Sequence, residues 1–126
     1  MRKIILTGIA AFGFAVPGYA QVSSDQMELA YNSARNQLGV LKYCQNAGHI
    51  DAAAVETQTK MIALIPVPSD KTKGDAAEQE GENGKISAMG VNQDLATVTK
   101  AQNISEKQFC EAIANAVKQA GAQLPK

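Results

Sequence analysis

The sequence predicts an all-α fold, a small disulfide-stapled helical domain of about four helices. Three observations lead there. Apolar residues recur at spacings of three and four in several separate segments, which places them on one face of a helix. No stretch alternates convincingly with a period of two, so no sheet is expected. Only two cysteines are present, Cys44 and Cys110, and they follow an N-terminal segment with the makeup of a secretory leader.

That leader occupies residues 1–20. Met1-Arg2-Lys3 supplies a short positive start, Ile4 to Val16 an apolar run too short to span a bilayer, and Pro17-Gly18-Tyr19-Ala20 a small-residue exit before Gln21. Cleavage after Ala20 is expected, leaving residues 21–126 as a single exported helical domain. No cysteine follows the apolar run to accept lipid and no later segment is apolar enough to span a membrane, so the expected destination is the periplasm or the exterior, with the Gram-negative periplasm favoured. Losing Arg2 and Lys3 leaves ten basic residues against twelve acidic ones. So balanced a surface offers nucleic acid or an anionic membrane no electrostatic purchase, and no stable membrane insertion is expected after cleavage. Tyr31, Tyr43 and Phe109 are the aromatic residues of the mature chain, so the core must come from Leu, Ile, Val, Met and Ala. A domain of this size sits near the range where a covalent staple matters.

From Ser24 or Asp25 to Asn46, the residues Met27, Tyr31, Ala34, Leu38 and Leu41 form one stripe, with Ala30 and Cys44 beside it. Asn46-Ala47-Gly48 should stop this helix, Gly48 taking the left-handed conformation. A second helix is expected from Asp51, whose side chain can accept from the first-turn amides, through Val55, Met61, Ile62 and Ile65. Pro66-Val67-Pro68 ends it. Ser69 to Gly74 has the composition of an exposed connector, and Asp75-Ala76-Ala77-Glu78 fits a capping box opening a third helix.

Two readings of the next stretch stay open. In one, residues 79–85 form a flexible loop, because Gly81 and Gly84 would each cost a helix interior about 1 kcal/mol relative to Ala, and the helix resumes at Ile86. In the other, Ala77, Gly81, Gly84, Ala88, Val91, Leu95 and Val98 continue one stripe of an unbroken helix. Gly81, Gly84 and Ala88 then allow a neighbouring backbone to approach closely. The last helix opens at Ser105, with Gln108 completing a capping box and Ile104 and Phe109 placed as a hydrophobic staple. Its apolar face is Phe109, Ile113 and Val117, with Cys110, Ala114 and Ala116 beside it, and it should end at Gly121 ahead of Pro125.

Cys44 lies near the end of the first helix and Cys110 near the start of the last, so a bond between them pins the intervening helices around one core. In the chain-entropy model a loop of this length contributes on the order of 4 kcal/mol. The rivals are a pair of buried free thiols or a redox-active pair, and neither C-x-x-C spacing nor local positive charge supports redox chemistry.

Chemistry-bearing constellations are scarce. His49 is the sole histidine and is expected as a polar residue of an interhelical turn; with two distant cysteines it offers no zinc motif. Asp75, Glu78, Glu80 and Glu82 lack the EF-hand order of ligands and read as a solvated helix start that complements the macrodipole. Ser87-Ala88-Met89-Gly90 is no nucleophile elbow, and Gly81-Glu82-Asn83-Gly84 is no phosphate loop. No catalytic residue, metal ligand or cofactor site is therefore nominated, and the chain is expected not to be an enzyme.

The expected role is that of a non-catalytic exported protein binding a protein partner in the cell envelope, such as an inhibitor or immunity-type factor. A second class is a stress chaperone. In size, export signal and single long-range cystine, the chain resembles the periplasmic acid-stress chaperones, small helical proteins that expose apolar surface at low pH. The resemblance is architectural, since Tyr43-Cys44 and Phe109-Cys110 are too little to define a shared motif. A third class is a structural subunit of an envelope assembly, for which the small-residue stripe would serve as an oligomer face, and a homo-oligomer is compatible with it.

Overall fold

The first long helix lies at the centre of the molecule and is covered on two opposite sides. The structure, a computed structural model, describes residues 23–88 and 91–124. The expected leader, its cleavage site and Pro125 lie outside them. Among the described residues there are five helices and one hairpin: α1 (Ser24–Asn46), α2 (Ala53–Ile62), α3 (Thr72–Glu82), β1 (Lys85–Ala88), β2 (Val91–Asp94), α4 (Leu95–Gln102) and α5 (Glu106–Gly121). The protein is thus mostly helical, with five helices where about four were expected.

Both ends of α1 close as the sequence suggests. Ser23 caps the start by accepting from the Gln26 amide, and Gly48 at φ 79° closes the end while the His49 amide bonds the Cys44 carbonyl. The single stripe expected on α1 is instead divided between two faces. Leu41 packs with Ala54 of α2 and with Ala114 and Val117 of α5, all at most 2% exposed. Burying a leucine so fully contributes about 1.5–3 kcal/mol, so this layer is the apolar core. Tyr31 turns the other way, toward Gly74 of α3.

Helix α2 is shorter than its periodicity implies. Asp51 accepts from the Ala53 amide, and residues 63–65 close as tight turns, with Ile65 bonded to the Ile62 carbonyl, before Pro66. Helix α3 begins earlier than expected, inside the segment read as a connector. Asp70 accepts from the Thr72 amide and hydroxyl, so it supplies the polar start that Asp75 and Glu78 were expected to provide. Those two carboxylates point sideways to Arg35 of α1 instead.

Neither reading of the glycine stretch matches the structure. The helix runs through Gly81, ends at Glu82, and the chain turns at Gly84, where φ is 80°. An antiparallel hairpin follows, pairing Lys85 with Asp94 and Ala88 with Val91, so the expectation of no sheet is corrected. The Leu95 amide bonds the Gly84 carbonyl and closes the base of that hairpin at 2.8 Å. Its edge is held by a side chain: Asn36 of α1 accepts from the Ser87 amide and donates to the Lys85 and Ala77 carbonyls. A buried amide from the helix thereby takes the place of a third strand. Helix α4 ends at Asn103 in the left-handed conformation, φ 55°. Helix α5 starts with the expected capping box, Ser105 and Gln108 bonding reciprocally at 3.1 and 2.9 Å.

Cys44 and Cys110 form a disulfide, with Cα atoms 5.6 Å apart and both residues 0% exposed. Val40 lies in the same cluster, and Tyr43, Ile50, Ile86, Phe109 and Ile113 pack against it. The staple therefore joins the apolar layer of α1, α2 and α5. Helix α3 stands on the opposite side, packed on α1 and β1.

Candidate functional site

The α1–α3 junction concentrates most of the charged contacts of the described residues. On the α1 side, Arg35 and Lys42 are seven residues apart, two helical turns, and so share a face. On α3, Asp75, Glu78 and Glu82 occur at spacings of three and four, which brings all three to the facing surface. Arg35 reaches Asp75 at 2.7 Å and Glu78 at 3.0 Å; Lys42 reaches Glu78 at 3.4 Å and Glu82 at 3.5 Å. Lys73 of α3 returns a bond to Glu28 of α1 at 2.9 Å. The acidic run read as a solvated helix start is therefore largely engaged across an interface, with Glu80 left on the rim of a cleft.

Arg35 also donates to the Tyr31 hydroxyl at 2.9 Å, with its guanidinium 5.6 Å from the ring centre. Burial works against its charge, but hydrogen bonds to Asp75, Tyr31 and Glu78 outweigh that and raise its pKa. The hydrogen bond to Glu28 likewise raises the pKa of Lys73, and the bonds from Thr72 lower that of Asp70.

Beneath the charges the two backbones nearly touch. A Cβ placed on Gly81 would lie 2.7 Å from the Val40 nitrogen and 2.9 Å from the Gly39 carbonyl carbon, and closer still to the Asn36 carbonyl oxygen. One on Gly39 would lie 2.9 Å from both the Glu78 carbonyl carbon and the Glu82 nitrogen, and would strike the Glu78 carbonyl oxygen. Each helix thus presents a glycine to the other's backbone. The largest side chain buried from α3 is an alanine, Ala77, beside Gly74 and Gly81.

Of the residues nominated for close helix packing, the structure places Gly81 in this contact, Gly84 at the turn after α3, and Ala88 at the end of β1. The three are not on one helix face. Gly84 lies against Tyr43, whose hydroxyl pKa is raised by hydrogen bonding to Glu106, by burial and by the charge of that carboxylate. His49 sits in the α1–α2 turn as expected, 4.0 Å from Glu106. Arg35, Asn36 and Gly39 were missed, although Arg35 and Lys42 on one face of a helix opposite an acidic segment are a readable sign of a charged interface.

Two clefts lie beside α1. One, of about 320 Å³, is lined by Leu29, Asn32 and Ser33 of α1 and by Lys73, Glu80 and Asn92 among others. A more apolar one, of about 250 Å³, lies between Val40, Ile86, Phe109 and Ile113. No group of three or more His, Cys, Asp or Glu placed to hold a metal ion occurs among the described residues, and no helix among them is long and apolar enough to cross a membrane. Leu64 and Val67, 63% and 56% exposed, lie on either side of Ile65-Pro66 at the start of the connector to α3, and Val67 shares a shallow cleft with Met27 and Pro68. No protein-family model matches the chain, and neither does any curated protein or any solved structure.

Proposed function

We propose that the mature chain is a non-catalytic exported protein that acts by binding a protein partner in the cell envelope, in the manner of an inhibitor or immunity-type factor. The observation that carries this reading is the exposure of Leu64 and Val67 on the segment around Pro66, with Val67 in a cleft beside Met27 of α1. Exposed apolar side chains grouped on one rigid surface are a common basis for recognition between proteins. A buried cystine accords with an oxidising compartment, as the leader pattern implies.

The chaperone reading has its own support in the α1–α3 junction, where every ion pair depends on a carboxylate. The assembly-subunit reading loses one argument, because Gly81 and Ala77 are already covered inside the molecule and offer no stripe to another copy. Affinity capture from native periplasm at neutral and acidic pH separates the three. One stoichiometric partner at neutral pH, lost in the Leu64→Ser/Val67→Ser variant, is the expected result. A broad set of clients held only in acid would favour the chaperone reading. Capture of further copies of the chain would favour the assembly reading, and turnover of a small molecule with no capture at all would defeat the proposal.

A further inference from the structure

The molecule is held together by two unlike kinds of contact on the two sides of α1. On one side Leu41, Val40, Ala54, Ala114 and Val117 form an apolar layer that the Cys44–Cys110 bond locks from within. On the other, α3 contributes no buried side chain larger than alanine and is attached by five ion pairs, two facing glycines and the Asn36 bond to the Ala77 carbonyl. Every one of those ion pairs has a carboxylate as one partner.

We propose that α3 is an acid-released flap: it leaves α1 as a unit when its carboxylates are protonated, while the stapled layer of α1, α2 and α5 stays folded. The charged and titratable groups on the elements packed together here are Asp25, Glu28, Tyr31, Arg35 and Lys42 of α1, Lys73, Asp75, Glu78, Glu80 and Glu82 of α3 with Asp70 just before it, and Lys85 of β1. At neutral pH the opposite charges alternate across the gap. Once the carboxylates are protonated, the charges left among these groups are those of Arg35, Lys42, Lys73 and Lys85, and all four are positive. Attraction is then replaced by repulsion, with Arg35 held where only 15% of its side chain is exposed and no counter-charge faces it. What else holds the helix is the close glycine contact, the Tyr31 ring against Gly74 and the Asn36 bond, with no apolar side chain of its own larger than alanine buried.

Non-helical segments bound the helix at both ends, residues 66–71 before it and Asn83-Gly84, with Gly84 at φ 80°, after it. The hairpin beyond Gly84 stays behind, because Ile86 packs against the cystine cluster. Release uncovers the Tyr31 ring and the Asn36–Val40 backbone of α1, surfaces that Gly74 and Gly81 cover at neutral pH. The opening needs no partner, so it stands or falls independently of what the protein binds.

Hydrogen exchange read by mass spectrometry on the full mature chain, with the disulfide intact, tests this directly. At pH 3, after correction for intrinsic rates, peptides from residues 72–82 should exchange about tenfold faster or more than at pH 7, while those from α2 and α5 keep their protection. The variant Asp75→Asn/Glu78→Gln/Glu82→Gln removes the charges without acid and should show the same selective loss at pH 7. Loss of protection in all helices together as the pH falls would overturn the proposal, since the molecule would then have a single acid transition. Unchanged protection of residues 72–82 in wild type at pH 3 would overturn it equally, whatever the variant does.

Discussion

Replacing Gly81 with alanine should destabilise the protein, although alanine is the better helix former by about 1 kcal/mol. The new Cβ would sit 2.7 Å from the Val40 nitrogen and 2.9 Å from the Gly39 carbonyl carbon, where ordinary contact needs about 3.5–4.0 Å. Both are backbone atoms and no rotamer change can move them, so α1 and α3 must separate by roughly 0.5–1 Å, enough to forfeit a quarter to a half of the dispersion energy of each contact they share. Overpacking of this kind costs about 1–3 kcal/mol, and the propensity gain offsets only part of it. A net loss of up to about 2 kcal/mol remains, at roughly 4–8 °C in Tm per kcal/mol for a domain near this size. Gly39→Ala meets the same obstacle from the other helix. Because one displacement relieves both clashes, the double variant should lose less than the sum of the singles. Thermal unfolding followed by circular dichroism, with urea titration for the free energy, measures all three. A Gly81→Ala protein as stable as wild type, or more so, would refute the close contact on which this reasoning stands.

Removing the cystine by Cys44→Ala/Cys110→Ala should cost on the order of 4 kcal/mol for a sequence separation of 66, read as the shift in urea midpoint. Because both half-cystines are fully buried, the folded protein should also resist alkylation under mild reductant and yield only as it unfolds, which intact mass can follow. Asp70 has its pKa lowered by the Thr72 bonds, so its contribution to stability is present above its ordinary value of 3.8 and lost as the pH falls through the depressed one. Asp70→Ala should accordingly be less stable than wild type at neutral pH and indistinguishable from it in strong acid. Arg35, with its pKa raised, keeps its charge throughout, so its pairs can be dissolved only from the carboxylate side, and Arg35→Met should lower stability at pH 7 more than at pH 3. Gly84→Ala should destabilise by about 1–2 kcal/mol, since φ 80° is a conformation that L side chains avoid, and Gly84→Asn should lose less.

The elements that sequence reasoning located were those whose signals are local. Ser105 and Gln108 mark the start of α5 within four residues, Gly48 marks the end of α1, and the pairing of the only two cysteines needs no geometry beyond the helices that carry them. What escaped was decided at a distance. Four-residue strands such as Lys85–Ala88 are too short for a period to declare itself, and this one is completed by Asn36, about fifty residues earlier. Tyr31 belongs by spacing to the Leu38–Leu41 stripe, yet a helix covered on two sides has two buried faces, and spacing alone does not say which partner each meets. Asp75 and Glu78 satisfied the capping-box pattern but lie inside a helix that has already begun at Thr72, the Asp75 amide bonding the Lys71 carbonyl, so their carboxylates are free to reach Arg35.

The Cys44–Cys110 bond closes α2, α3, the hairpin and α4 into one covalent ring, with α1 and α5 as its two arms. A single protease cut within that ring therefore separates nothing. The halves stay joined through sulfur, and a nicked molecule migrates as one species until it is reduced. A protein cut in this way can lose the continuity of its surface segments, Leu64–Val67 included, and still keep its apolar layer assembled.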